Sequence, residues 1–83
     1  MSVYIISSIK SKEGISSEVI DTRLNKLVRI RYNEILIGNT LRCGYLERSG
    51  YLVTSPIVSF SSENNLLNIE TENTWYTFTK TNL

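Results

Sequence analysis

Basic side chains concentrate in one stretch of the chain, where Arg23 and Lys26 precede Arg29 and Arg31. Residues Leu27 to Tyr32 alternate apolar and basic side chains, which predicts a strand with Arg29 and Arg31 together on its outer face. A guanidinium group is planar, always charged and able to donate two parallel hydrogen bonds, which suits phosphate or carboxylate. The cluster therefore indicates an anion site or a docking surface for an acidic protein. The alternative is an ordinary solvated face.

A second group of chemically capable side chains lies in two turns and in the strand after one of them. Hydroxyl and amide groups stand there close to aromatic rings: Thr54, Ser55, Asn73, Thr74, Trp75 and Tyr76. A stacking plane beside short polar groups is what a nucleobase or ribose pocket needs. We therefore predict that these residues bind a ligand together with Arg29 and Arg31. The alternative is that the polar side chains only cap their own backbone.

The residue types that most enzymes use are scarce. The chain has no histidine, one cysteine and four glycines that form no phosphate-binding loop. Glu70 and Glu72 would share one face of a strand, where a solvated carboxylate pair is the simpler interpretation than an acid–base site. Cys43 is expected to be a small buried residue. We predict a protein that is not an enzyme and that uses no cofactor or metal.

Size and charge bound the class of protein. The 83 residues carry a net charge of +1, so we expect one domain, residues 1–83, that does not act on membranes and is unlikely to bind nucleic acid. The first residues have neither the charge nor the apolar run of a signal peptide, which predicts a cytoplasmic protein. Abundant Ile, Asn, Lys, Ser and Tyr are typical of an AT-rich genome, as in many phages and low-GC bacteria.

Short strands separated by turn residues must position these side chains. The pattern predicts an all-β fold with little or no helix, either a small curved sheet or an SH3-like β-barrel. The expected strands and buried runs are Val3–Ile9, Leu27–Tyr32, Ile35–Ile37, Arg42–Glu47 with a bulge at Gly44, Tyr51–Val53, Ile57–Ser61, Leu67–Thr71 and Thr74–Lys80. In the last strand, Tyr76 and Phe78 are expected in the core and Trp75 on the opposite, more exposed face.

The segment from Ile15 to Asn25 is ambiguous. Ser17 and Glu18 could begin a helix, whereas the β-branched Val19, Ile20 and Thr22 favour a strand, which we predict here. The preceding residues, Lys12-Glu13-Gly14, are expected to form a turn.

The last third of the chain resembles small uncharacterised β proteins of phages and bacteria. The similarity lies in the Thr54-Ser55-Pro56 step and in the stretch from Thr71 to Tyr76, which reads TENTWY. Proteins of this general kind include phage inhibitors of host immunity, some of which are oligomeric sponges for cyclic nucleotide signals. The resemblance implies such a role for this chain, in the cytoplasm of the host.

Two functions of different class therefore stand as expectations. In the first, the protein sequesters a nucleotide-derived signal in a homo-oligomer. In the second, it inhibits or regulates a host defence enzyme or polymerase by docking through a strand edge and the arginine cluster. Self-association is expected in both cases because a domain of this size buries little of its apolar surface alone.

Overall fold

A computed structural model describes residues 2–12 and 17–83. The predicted turn at Lys12-Glu13-Gly14 and the first residues of the ambiguous segment lie outside these ranges. In the described part of the chain, seven strands and one short α-helix follow one another: β1 (Ser2–Ser11), α1 (Ser17–Arg23), β2 (Leu27–Ile30), β3 (Arg42–Tyr45), β4 (Tyr51–Val53), β5 (Ile57–Glu63), β6 (Leu66–Thr71) and β7 (Thr74–Lys80). A 3-10 turn, Tyr32–Glu34, follows β2.

The strands form one antiparallel sheet in the order β4-β3-β2-β1-β7-β6-β5, which confirms the predicted mostly β fold. The SH3-like barrel is wrong, because β4 and β5 end the sheet and do not pair with each other. The chain between β2 and β3 lies in the gap between these two edge strands. Gly38 and Asn39 exchange backbone hydrogen bonds with Ile57, and Leu41 accepts one from Thr54. These contacts hold the curled sheet in shape without closing it.

The core lies on the inner face of the curled sheet. Residues of every strand reach it, and Ile35 and Leu41 join them from the connection between β2 and β3. The apolar core residues of the strands are Tyr4, Ile6, Ile9, Val28, Ile30, Cys43, Tyr45, Leu52, Ile57, Leu67, Ile69, Tyr76 and Phe78. The predicted core positions Tyr76 and Phe78 are confirmed, and their rings stack with centroids 5.8 Å apart. Cys43 is buried as expected.

A β-bulge in β1 changes which residues reach the core. Ile6 pairs with Phe78 but Ser8 pairs with Thr77, so Ser7 is an extra residue in the ladder. Alternation alone predicts Ser8 on the inner face with Ile6, whereas the bulge brings Ile9 there. The Ser7 hydroxyl donates to the carbonyl oxygen of Thr77 and bonds the Thr79 hydroxyl, which holds the bulge.

The predicted strand over Ile15–Asn25 is wrong where the structure describes it, because Ser17–Arg23 is a helix. Glu18 in the first turn and Arg23 in the last turn suit the helix dipole. The helix is followed by Asn25 at φ 65°, a left-handed conformation that asparagine tolerates. Ile20 packs against the core, and this contact outweighs the β preference of the branched side chains. Within the described residues, no helix is long and apolar enough to cross a membrane.

The chain after β2 departs from its predicted pattern as well. The alternation over Leu27 to Tyr32 places Tyr32 on the inner face with Val28 and Ile30, but Tyr32 lies in the 3-10 turn, more than half exposed, with its ring against Phe60. Of the predicted buried run only Ile35 is buried, and Leu36 and Ile37 are exposed because the backbone there turns toward Ile57. Gly44 forms no bulge, since it pairs in regular register with both neighbouring strands.

Candidate functional site

Four arginines surround a cleft on the outer face of strands β2, β3 and β4. We call this surface the arginine face, and it consists of Arg29, Arg31, Arg42, Arg48 and Tyr51. Cross-strand pairing builds it, because Arg29 lies opposite Gly44 and Gly44 lies opposite Tyr51. Arg29, Gly44 and Tyr51 thus form a row across the three strands. Because Gly44 has no side chain, the middle of this row consists of backbone and the Tyr51 ring. The cleft has a volume of about 430 Å³.

Two guanidinium groups of the arginine face lie over tyrosine rings. The Arg42 guanidinium carbon is 4.1 Å from the centroid of the Tyr51 ring, and that of Arg48 is 4.2 Å from the Tyr45 centroid. Tyr51 is 57% exposed, whereas Tyr45 is buried. A cation–π contact attracts the charge of the guanidinium group and does not occupy its N–H groups with hydrogen bonds, so these can donate to a ligand. The rings therefore orient these two cations without using up their hydrogen bonds.

The charge of the arginine face is not neutralised by its described neighbours. Among the described residues, the one ion pair joins Lys12 to Glu70, far along the sheet, and none of the four arginines takes part in it. Glu34 is the acidic residue that lines the cleft. Four positive charges against one negative charge make this surface strongly attractive to anions, although the whole chain is nearly neutral.

The hydroxyl and amide turns take part in the fold. The Thr54 hydroxyl is buried, accepts from the Leu41 N–H and donates to the Ser55 carbonyl. The Ser55 hydroxyl accepts from the Asn73 N–H at 3.1 Å, so the two predicted turns do lie side by side. Thr74 is buried, and its backbone bonds the Thr71 hydroxyl in both directions. The capping alternative thus describes these contacts, and the Asn73 side chain is the exposed polar group of the set.

The two aromatic residues of the predicted site lie on opposite faces of β7. Tyr76 is buried, and its hydroxyl accepts a 2.9 Å hydrogen bond from Arg23 of α1. Burial raises the pKa of Tyr76 above its usual range. Trp75 is 46% exposed on the outer face, as the alternation predicted.

Trp75 and the arginine face lie near opposite ends of β1. Arg29 pairs with Val3 and Trp75 pairs with Lys10. Seven residues of strand correspond to roughly 20 Å. Within one chain, Arg29 and Arg31 therefore cannot contact the same small ligand as Trp75, and the predicted composite site divides into two separate surfaces.

Sequence reasoning identified Arg29 and Arg31 but missed Arg42, Arg48 and Tyr51. A signal for two of these is present in the pattern. Arg42 alternates with the buried Cys43, and Tyr51 with the buried Leu52, so both had to be on outer faces. Whether Arg42 and Tyr51 lie beside Arg29 depends on which strands pair with each other, and the alternation of side chains does not specify the pairing.

The described residues include no group of three or more Cys, Asp or Glu side chains placed to hold a metal ion. Burial raises the pKa of the Cys43 thiol to about 12, so this sulfur is protonated and unreactive at neutral pH. No family model, curated protein or solved structure matches this chain.

Proposed function

We propose that this protein binds a small phosphate-bearing ligand of the nucleotide class at the arginine face and holds it without converting it. The observation that carries the proposal is the convergence on one cleft of the exposed Tyr51 ring and four guanidinium groups, none of which forms an ion pair with a described residue. Arginine edges bond phosphate oxygens in pairs, and an exposed ring offers a base a plane to stack on.

Binding without turnover fits the residue types of the cleft. Arginine is always protonated and cannot act as a general base, and the chain contains no histidine. The biological use that we propose is sequestration of a nucleotide-derived signal in a host cytoplasm, as the resemblance to phage inhibitors implies. The outer position of the arginine face leaves it open to a ligand shared between two copies of the chain.

Calorimetric titration with adenosine, AMP, ADP and a set of cyclic di- and trinucleotides tests the proposal. Affinity should rise with the number of phosphates and fall as salt increases, because the attraction is electrostatic. Arg29→Gln or Arg42→Gln should each weaken binding about tenfold, since each removes a charge-assisted bond. Lys26→Gln is the matched control, because it removes one exposed charge outside the cleft.

Equal affinity for adenosine and ADP would contradict a phosphate site. If Lys26→Gln weakened binding as much as Arg42→Gln, the loss of affinity would come from the net charge of the protein and not from contacts in the cleft. A change in the chemical identity of the nucleotide after incubation would refute the claim that the protein only holds its ligand.

The edge strand β5 supports a second candidate, an inhibitor that docks on a host protein. After Ile57 this strand is mostly exposed, and its outer backbone edge faces none of the other described strands. A partner could extend the sheet there by adding a strand. This candidate replaces the first one if no nucleotide binds and the purified chain forms a stoichiometric complex with one host enzyme that Val58→Lys on β5 abolishes.

A further inference from the structure

A second surface with the features of a binding site surrounds Trp75, at the other end of the outer face. Strands β1, β7, β6 and β5 lie side by side there and present two rows of side chains. One row consists of Lys10, Trp75, Glu70 and Ser59, and the next consists of Ser8, Thr77, Asn68 and Ser61. By strand spacing, four strands and two rows make a platform of roughly 14 Å by 7 Å. We call this surface the Trp75 platform.

The indole of Trp75 stands between two clefts of the platform. Ser8, Lys10 and Thr77 line the cleft on the β1 side, and Asn68, Glu70 and Ser59 line the one on the β6 side. The cleft volumes are about 470 Å³ and about 250 Å³. Trp75 is 46% exposed, so a ligand can reach its indole from either cleft.

The polar groups of the platform are already oriented by one another. The Thr77 hydroxyl donates to the Asn68 side-chain oxygen at 3.0 Å, which leaves the amide nitrogen of Asn68 as a donor. The Ser59 hydroxyl donates to Glu70 at 3.2 Å. Lys12 reaches across β7 to pair with Glu70, and its ammonium nitrogen is 4.7 Å from the Trp75 ring centroid. A ligand would therefore meet fixed donors and acceptors beside an apolar plane.

The charges of the platform largely cancel, because Lys12 pairs with Glu70 and Lys10 is the one further charged residue of the two rows. The hydrogen bond from Lys12 lowers the pKa of Glu70 below its ordinary value, so the carboxylate is ionised and accepts hydrogen bonds only. Such a group bonds hydroxyl groups well. The Lys12–Glu70 pair presents a donor and an acceptor side by side, which matches two adjacent hydroxyls on one ring.

We propose that the Trp75 platform binds a neutral sugar. The C–H face of a pyranose ring is flat and apolar and stacks on an indole, here from the clefts beside Trp75, which Lys12 does not line. The hydroxyls of the sugar need short donors and acceptors at the rim of the ring. The platform has room for one or two sugar rings. This site is separate from the arginine face, so either proposal can fail without the other.

Trp75 is the only tryptophan of the chain, so its fluorescence reports the site directly. The purified protein is titrated with the methyl glycosides of glucose, galactose, mannose and N-acetylglucosamine and with their disaccharides. At least one neutral sugar should shift the emission to shorter wavelength in a saturable manner, because stacking removes water from the ring. The affinity should not depend on salt.

Variants separate a sugar site from a nonspecific effect. Asn68→Ala and Thr77→Val should each lower the affinity for the sugar that binds by at least fivefold, as measured by the same titration. Asn33→Ala, which removes an exposed amide from the 3-10 turn, should bind like the unaltered protein. Circular dichroism of each variant checks that the sheet is intact, and a variant that loses the sheet is replaced by Ser8→Ala, for which the same weakening is expected.

Three outcomes overturn the proposal. No saturable shift with any sugar up to tens of millimolar means that the platform is not a sugar site. A shift with AMP that exceeds every sugar means that the indole stacks on a base. Equal weakening in Asn68→Ala and Asn33→Ala means that the fluorescence change does not arise at the platform.

Discussion

At the scale of single residues, the charge state of Cys43 links the core to stability at high pH. Cys43 belongs to β3, which pairs with β2 on one side and β4 on the other. Burial raises the pKa of its thiol from 9.0 to about 12. In the unfolded chain the thiol ionises near its ordinary pKa, so between pH 9 and pH 12 the unfolded state binds fewer protons than the folded state. Stability is therefore complete below pH 9 and is lost as pH rises through this window.

We predict that the free energy of unfolding falls above pH 9 by up to about 1.4 kcal/mol per pH unit from this group. Chemical denaturation at a series of pH values measures the slope. Cys43→Ala should reduce the slope between pH 9 and pH 12, while costing about 1 kcal/mol at neutral pH through lost packing. An unchanged slope in Cys43→Ala would mean that tyrosines such as Tyr76 carry the whole alkaline effect.

Gly44 is a residue-scale determinant of the arginine face. A Cβ at this position would lie 3.7 Å from the Tyr51 ring, an ordinary contact distance. Gly44→Ala should therefore leave the fold intact, whereas Gly44→Leu should fill the centre of the row between Arg29 and Tyr51. We predict that Gly44→Leu abolishes nucleotide binding in calorimetry while thermal melting stays within a few degrees of that of Gly44→Ala. Retained binding in Gly44→Leu would remove this part of the cleft from the site.

At the scale of elements, a hydrogen bond between Arg23 and Tyr76 attaches the helix to the sheet. The Arg23 guanidinium of α1 donates to the Tyr76 hydroxyl of β7, and Ile20 and Leu24 pack against the core beside it. A helix as short as Ser17–Arg23 is not stable alone in water, so its presence depends on these contacts.

A double-mutant cycle measures that attachment. Arg23→Met and Tyr76→Phe keep the apolar parts of both side chains and remove the hydrogen bond. Each should destabilise the protein by about 1–2 kcal/mol, with a coupling energy of about 1 kcal/mol in urea denaturation. The pair Arg23→Met with Asn82→Ala is the control, since Asn82 is exposed after the last strand and should show additive effects. Additivity of Arg23→Met with Tyr76→Phe would contradict the bond.

The elements also show what local sequence can and cannot predict. Most strands follow from alternation, and β7 is correct down to the faces of Trp75 and Tyr76. The helix was missed because its β-branched residues favour a strand and because the contacts of Ile20 and Arg23 with the sheet are distant in sequence. The bulge at Ser7 was missed for a related reason, since only the partner strand shows that one residue is extra.

At the scale of the molecule, strand order decides which predicted residues form a site. Arg29 and Arg31 were identified from their own strand, but the pairing of β2 with β3 and of β3 with β4 adds Arg42 and Tyr51. The same order places most of the length of β1 between Arg29 and Trp75. Net charge conceals this segregation, because the +1 of the whole chain averages a strongly basic face with acidic residues elsewhere.

The open sheet also bears on the expectation of self-association. A barrel would have no free edge, whereas this sheet ends in β5, whose residues after Ile57 are largely exposed. Edge strands of monomers are often protected by lysine or by proline within the strand, and β5 has neither in its sequence IVSFSSE. Val58 is exposed at the start of this edge. Pairing of two β5 strands in antiparallel fashion would cover both edges.

We predict a dimer formed through β5, visible by sedimentation at micromolar concentration as a species of twice the 9.5 kDa chain mass. Ser61→Lys should raise the dissociation constant of the dimer at least about tenfold. The reason is that the two introduced lysines would lie close together where the two β5 strands pair. Ser61→Thr is the matched control and should leave the dimer unchanged, since threonine suits a strand. Asn82→Lys adds the same charge at an exposed position away from the edge and should have no effect. A monomer at all concentrations in the unaltered protein, or equal dissociation in Ser61→Lys and Asn82→Lys, would show that β5 is not an interface between copies.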